Sequence, residues 1–371
     1  MKVLLGISTF ADLTDPKMGS ERQAIGYANA LGELGHEVHV VNILKTAPDW
    51  GKQFDIVHLV NASGKKGPYQ QIIDTAHLLG KPVVLSPVYW PLNELLYQIA
   101  KQRNYDPGEN PQIFHAFHED VAGLKICIRE ADWLLPNAEL EMATIFGLTD
   151  QMGMMESVPL NERYTVVPNA VDVEGEILPA IADDTPLPPE MQATLADRFV
   201  ICVARMEIRK NQHRLVQAME ILWKDDPKLQ LVMMGAINQD YVKTFESAIK
   251  GKNVVIAQPA TAKDVLRLVK RSVCSVLPSL LETPGLVNLE AAAMGIPVAV
   301  SARGSVKEYL GDGGHYCDPL NPESIAKAIR EAMEAGTDDE LTQHVRERFS
   351  YQRAAQITEG VYTQLLEGSD L

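Results

Sequence analysis

The sequence predicts an α/β protein made of two parallel-sheet domains. Short apolar strands alternate with amphipathic helices, which is the pattern of an open parallel sheet covered on both faces. The rhythm breaks at residues 175–198, where Pro179, Pro186, Pro188 and Pro189 stand among acidic residues, and then restarts. At 371 residues the chain is long enough to bury two separate cores.

In the first half KVLLGIS reads as the opening strand. A loop ending in Met18-Gly19-Ser20 leads to a helix over 21–34, with Ala24, Ile25, Ala28, Leu31 and Leu34 on one side. Gly35 closes it, because glycine enters the left-handed cap conformation at little cost. EVHVVN, DIVHLV, KPVVLS and DWLLP continue the strand series, with helical segments near 69–79 and 112–131 between them, and YTVVPN ends this half. The stretch 175–198 reads as a linker or surface loop. FVICVAR, LQLVMMG, NVVIA, CSVLP and PVAVS follow as strands of a second sheet. A last helix from about Tyr351 carries Ala354, Ala355, Val361, Tyr362, Leu365 and Leu366 at helical spacing and needs a surface to pack against. Two such series predict two Rossmann-like domains facing each other across a cleft. Ligands of open α/β sheets bind outside the carboxyl ends of the strands, so the cleft is the expected site.

Composition narrows the function. The formal net charge of −15 gives no global positive field to draw nucleic acid or an anionic bilayer. Cys127, Cys202, Cys274 and Cys317 share no CxxC spacing and read as buried thiols of a reduced, cytoplasmic protein. The opening MKVLLGISTFADL could pass for a signal peptide, but Asp12 and Asp15 follow at once and the run fits a strand better. No stretch approaches the ~20 apolar residues that span a bilayer, so any contact at the inner membrane face is expected to be peripheral.

The most informative stretch is LPSLLETPGLVNLEAAAMGIPVAVS at 277–301. A strand ends at Leu277-Pro278, a loop carries Glu282, and a helix starting near Pro284-Gly285 carries Glu290. Such a start exposes unpaired backbone N–H groups that attract a phosphate. The Glu282–Glu290 step spans at most about 12 Å if helical throughout. That reach could set one carboxylate on a sugar and the other on a ribose, with a diphosphate between them; a solvated Glu282 and a helix-face Glu290 fit the spacing equally. VARMEIRKN at 203–211 places Arg205 and Lys210 just beyond a strand, where two cations could neutralise a diphosphate or simply be solvated. Gly235 in MMGA would let backbone approach a nucleotide closely. Among the histidines, His39 and His58 lie within strands and read as core or strand-end residues. His115 and His118 share a helix face, and three-residue spacing with no third ligand makes a poor metal site.

Together these pieces resemble glycosyltransferase family 4. Glu282 and Glu290 match its Glu–seven residues–Glu motif, LEAAAMGIPVAVS its Leu-Glu-Ala-x-Ala-x-Gly-x-Pro-Val run, and VARMEIRKN its Arg…Lys phosphate loop. VVPNAVD, LGELGHEVHVV and SARGSVKEYLGDGGHYCDP match further segments in family order. The resemblance implies a GT-B architecture. Residues 1–173, with the closing helix 351–371 packed back on them, would form the acceptor-side domain, and 174–350 the nucleotide-sugar-binding domain. It further implies sugar transfer from a nucleotide-diphosphate sugar to an acceptor hydroxyl of a glycan, lipid-linked or small-molecule acceptor. Anomeric configuration would be retained, with no required metal or other cofactor and no nucleic-acid partner. Glu290 would hold the ribose and Glu282 the transferred sugar. Arg205 and Lys210 would stabilise the leaving diphosphate with the amides near Gly285 and Leu286, and Gly19 would sit beside the donor phosphates or the acceptor.

Two positions depart from the family pattern. Pro284 stands where a phenylalanine is common and removes one backbone donor. Val88 occupies the position of a family histidine, flanked by Ser86, Tyr89 and Trp90. Tyr89, Trp90 and His118 are the acceptor-side candidates. A nucleotide-sugar epimerase, a phosphorylase and a non-catalytic nucleotide-sugar-binding protein are the alternatives; the paired Glu motif with its Arg–Lys loop favours transfer. A dinucleotide dehydrogenase is disfavoured because the first strand leads into no GxGxxG.

Overall fold

The computed structural model describes residues 1–9, 19–61, 66–89, 124, 127–150, 163–258 and 261–368. The chain divides into two compact units, Met1–Ala170 with Tyr351–Leu371, and Val171–Ser350. Each is built on one all-parallel sheet.

The first sheet runs β2-β1-β3-β4-β5, from β1 (Lys2–Ile7), β2 (Glu37–Asn42), β3 (Ile56–Val60), β4 (Val83–Ser86) and β5 (Trp133–Leu134). Val3, Leu4, Leu5 and Ile7 are wholly buried, as a central parallel strand covered on both faces requires. Helix α1 (Gly19–Glu33) buries Ala24, Ala28 and Leu31, while Leu34, beyond its end, is exposed. Gly35 has φ +90°, and the His36 N–H donates to the Leu31 carbonyl at 3.1 Å, closing the last turn. Helix α2 (Lys66–Leu78) connects β3 to β4, and α3 (Glu139–Asp150) follows β5.

The segment YTVVPN is not a sheet strand. Tyr164 makes a single bridge to Leu134, and the Thr165 and Val167 N–H groups donate to the Leu134 and Pro136 carbonyls at 3.0 and 2.9 Å. Pro136 has no N–H to return, so the ladder stops. Of the helix expected at 112–131, residues 127–130 are helical; most of the remainder lies outside the described residues.

The last helix, labelled here by its range Tyr351–Gly368, belongs to this first unit. A Cβ on Gly26 would lie 2.1 Å from the Tyr351 ring, so the absent side chain of α1 makes room for it. Gln23 donates to the Ala170 carbonyl at 2.7 Å and the Tyr351 hydroxyl at 3.1 Å. Buried His58 is held between the Tyr362 hydroxyl at 2.7 Å and Ser86 Oγ at 2.9 Å. Its burial pushes the imidazole pKa down to about 4, so it is a neutral core residue.

The second sheet runs β11-β10-β9-β6-β7-β8. Its strands are β6 (Phe199–Val203), β7 (Gln230–Met234), β8 (Val254–Ala257), β9 (Cys274–Leu277), β10 (Val298–Ser301) and β11 (His315–Cys317). The order reverses at β6, whose neighbours are β7 and β9. This is the switch point beside which ligands of open parallel sheets bind. Of its helices, α4 (Gln212–Leu222), α5 (Val242–Ile249), α6 (Ala262–Arg271) and α7 (Leu286–Ala293) link these strands. Helices Pro322–Ala335 and Asp339–Arg348 follow β11.

The proline-rich stretch is a fastened surface segment, not a free linker. Asp183 accepts from Arg267 of α6 at 2.8 and 2.5 Å, and Lys270 donates to the Ile181 and Asp183 carbonyls at 2.6 and 3.1 Å. The four cysteines are buried free thiols.

Candidate functional site

Two loops leave the carboxyl ends of adjacent strands at the switch point, one after β6 and one after β9. They are stitched together by backbone. The Leu280 N–H donates to the Arg209 carbonyl at 2.8 Å. Asn211, wholly buried and at φ +64°, donates its amide to the Pro278 and Pro319 carbonyls at 3.0 and 2.6 Å. Asparagine suits this place because its short polar side chain tolerates the left-handed region and also finds buried acceptors.

Glu282 sits where the loops meet and is 4% exposed. One carboxylate oxygen accepts from Lys210 Nζ and from Ser279 Oγ at 3.1 Å, with an Arg209 nitrogen at 3.6 Å. The other lies 3.3 Å from the Thr283 N–H. Burial alone would raise this carboxyl's pKa, but the charges of Lys210 and Arg209, with the Lys210 and Ser279 hydrogen bonds, hold it below the ordinary glutamate value. Arg209 also pairs with Glu207 at 2.9 Å and reaches the Leu281 carbonyl at 3.4 Å. Two cations therefore meet two carboxylates, and their formal charges cancel.

A third loop fixes the Glu282 backbone from the far side. Gly304, after β10, forms a parallel bridge with Glu282, and the Ser305 N–H donates to the Glu282 carbonyl at 3.2 Å. Gly304 has φ +89°, and a Cβ there would lie 1.9 Å from that carbonyl oxygen. Glycine is obligatory on both counts.

Helix α7 starts beside the pair. Gly285 is its N-cap at φ +76°, and a Cβ there would meet Glu282 Cγ at 3.1 Å and Asn288 Nδ2 at 2.9 Å. Leu286 is the first helical residue, and Asn288 folds back to donate to the Pro284 carbonyl at 2.7 Å. Glu290 lies in the same helix and is 5% exposed.

The structure thus brings Lys210, Glu282, Gly285 and Leu286 into one place, with Glu290 on the adjoining helix. Arg205 is in the loop after β6 but exposed, its carbonyl accepting from Gln212 at 3.0 Å. Gly235 directly follows β7. At φ +138° its Cβ would lie 2.1 Å from the Ala204 carbonyl oxygen, so the close approach it permits is to the neighbouring loop of its own sheet.

The remaining candidates belong to the first domain. Gly19 is exposed at the start of α1. Tyr89 is 7% exposed and packs in the core. Trp90 and His118 lie outside the described residues. Val88 has φ +52°, a strained place for a β-branched residue. The Tyr89 N–H beside it donates to buried Glu141 of α3, which also accepts the Asn137 N–H at 2.5 Å. Burial pushes the Glu141 carboxyl up to about 7 despite these bonds.

Sequence reasoning missed Arg209, Asn211, Ser279 and Gly304. Arg209 was visible as a second cation beside Lys210; the others are ordinary loop residues until the three loops are assembled. Among the described residues, no group of three His, Cys, Asp or Glu could hold a metal ion, and no helix is long and apolar enough to cross a membrane.

Residues 187–352 match the family described as Glycosyl transferases group 1. An uncharacterized glycosyltransferase of Methanocaldococcus jannaschii is 28% identical over 180 residues, 46% of each chain. Glycogen synthase of Mycobacterium tuberculosis is 31% identical over 160 residues, 42% of this chain and 37% of that one. These matches span less than half the length of either relative. Over the whole chain the fold is similar to sucrose-phosphate synthase from Thermosynechococcus elongatus, with TM-score 0.73, 16% identity and coverage of 99% of this chain and 100% of that one. It is also similar to Anabaena HepE in complex with UDP and glucose, with TM-score 0.65, 16% identity and coverage of 98% and 100%. The fold is GT-B, with two parallel-sheet α/β domains.

Proposed function

We propose that this chain is a glycosyltransferase of the family 4 type, moving a sugar from a nucleotide-diphosphate donor to an acceptor hydroxyl with retention of anomeric configuration. The observation that carries the reading is the buried Lys210–Glu282 pair at the switch point of the second sheet, beside the start of α7. Such a place combines cations, a helix N-terminus and a carboxylate that can accept sugar hydroxyls. The group 1 match over residues 187–352 contains all of these residues.

In this reading residues 174–350 bind the donor and residues 1–173 face the acceptor. Glu290 holds the ribose, Glu282 the transferred sugar, and Arg205 and Lys210 the diphosphate, joined by the amides near Gly285 and Leu286. These groups, rather than a resident metal, carry the charge that develops as the glycosidic bond breaks. Preorganised donors of this kind are worth about 2.7–4 kcal/mol each when deleted. Valine at position 88 cannot take a proton, so the leaving diphosphate accepts the acceptor hydroxyl's proton on the same face of the sugar. Same-face delivery gives retention.

Proton NMR of the first-formed product tests this. An α-linked donor should give an α-linked product, whereas a β-linked product contradicts the retaining reading.

A further inference from the structure

Lys210 is not waiting for a phosphate with its charge unspent. Its side chain is 12% exposed, and its ammonium pairs with the carboxylate of Glu282, a side chain 5% exposed. Arg209, the next cation, is shared between Glu282 and Glu207. The formal charges of these four groups cancel before any ligand arrives, and the Glu282 backbone is fixed by Gly304 and Ser305. The carboxylate itself is held beside Lys210 by Ser279 Oγ at 3.1 Å and faces the Thr283 N–H at 3.3 Å.

We infer that Glu282 is an internal counter-anion that competes with the donor diphosphate for Lys210, and so makes the site discriminate a sugar nucleotide from a bare nucleoside diphosphate. The inference rests on the proposed donor site. When a bare diphosphate engages Lys210, Glu282 loses its nearest cation and faces added negative charge at short range, where the site is largely dry. Arg209, 3.6 Å away and shared with Glu207, compensates it only in part. When the diphosphate carries a sugar, hydroxyl donors replace the ammonium at the carboxylate, and the exchange is balanced. The same carboxylate thus weakens binding of the spent leaving group and favours its departure once the sugar has gone. Two unit charges about 5 Å apart at an effective dielectric near 20 interact strongly enough for removal of one to change affinity by tenfold or more.

The experiment is calorimetric titration of the full chain with UDP, GDP, ADP and dTDP and with the corresponding glucose and mannose nucleotides, for wild type, Glu282→Gln and Glu282→Ala. Thermal melting of each variant confirms folding, and two variants guard against one failing to fold. We expect the bare diphosphate that binds wild type to bind both variants about tenfold tighter, while the affinity ratio of sugar nucleotide to diphosphate falls. Bare diphosphate binding that is unchanged or weaker in folded variants overturns the inference and leaves the proposed donor site standing. Wild type that binds none of these ligands overturns both.

Discussion

Lys210 and Arg205 look equivalent in the sequence, two cations in one loop after a strand. The structure separates them. Arg205 is exposed, whereas Lys210 neutralises a carboxylate that is nearly inaccessible. Removing one partner of a buried ion pair costs about 3–5 kcal/mol when the other is left uncompensated; Arg209 still faces Glu282 and lessens that. Lys210→Ala should therefore lower the urea midpoint clearly, with Arg205→Ala within about 0.5 kcal/mol of wild type. Equal stability of the two variants contradicts the pairing. Glu141 supplies a second test. Burial raises its folded pKa to about 7 from the ordinary glutamate value of 4.5, so the folded state binds the extra proton. Stability attached to it is fully present below about 4.5 and is lost as pH rises through 7. That gap corresponds to about 3 kcal/mol. The difference between wild type and Glu141→Gln in urea unfolding should shift by that order between pH 4.5 and 8, and a flat difference rejects the titration.

At the scale of elements, the strands were readable because buried parallel strands are short runs of Val, Ile and Leu closed by Gly or Pro. FVICV, QLVMM and VAVS all form where the pattern puts them. YTVVPN carries the same pattern yet forms no ladder, since Pro136 on its neighbour cannot donate. Residues 175–198 read as a linker or surface loop from prolines among acidic residues, and only the partners Arg267 and Lys270, far off in sequence, show them fastened. The site shows the same division. Lys210 and Glu282 are 72 residues apart and were assigned by motif to one donor site, but neither their ion pair nor the clamp that Gly304 places on Glu282 was legible in the motifs. Gly304→Ala tests that clamp. Its Cβ would collide with the Glu282 carbonyl, so the loops must part, at a cost of about 1–3 kcal/mol. Turnover should fall well beyond what the stability change explains. A fully active Gly304→Ala enzyme shows that Glu282 does not need this position.

For the whole molecule, the chain leaves the first unit after Ala170 and returns at Tyr351. On one side of these crossings Val171 donates to the Phe349 carbonyl at 2.8 Å; on the other Gln23 bonds both Ala170 and Tyr351. Each crossing is thus fixed within a domain by hydrogen bonds. The central claim is that the second domain holds a nucleotide sugar through the Lys210–Glu282 loops. A thermal-shift titration of wild type and Lys210→Ala with UDP-, GDP-, ADP- and dTDP-sugars tests it most directly. A donor at 100 times its dissociation constant should stabilise wild type by about 2.7 kcal/mol, and the same concentration should give Lys210→Ala a much smaller shift from its own baseline. No stabilisation of wild type by any donor, or an equal shift in the variant, contradicts the claim.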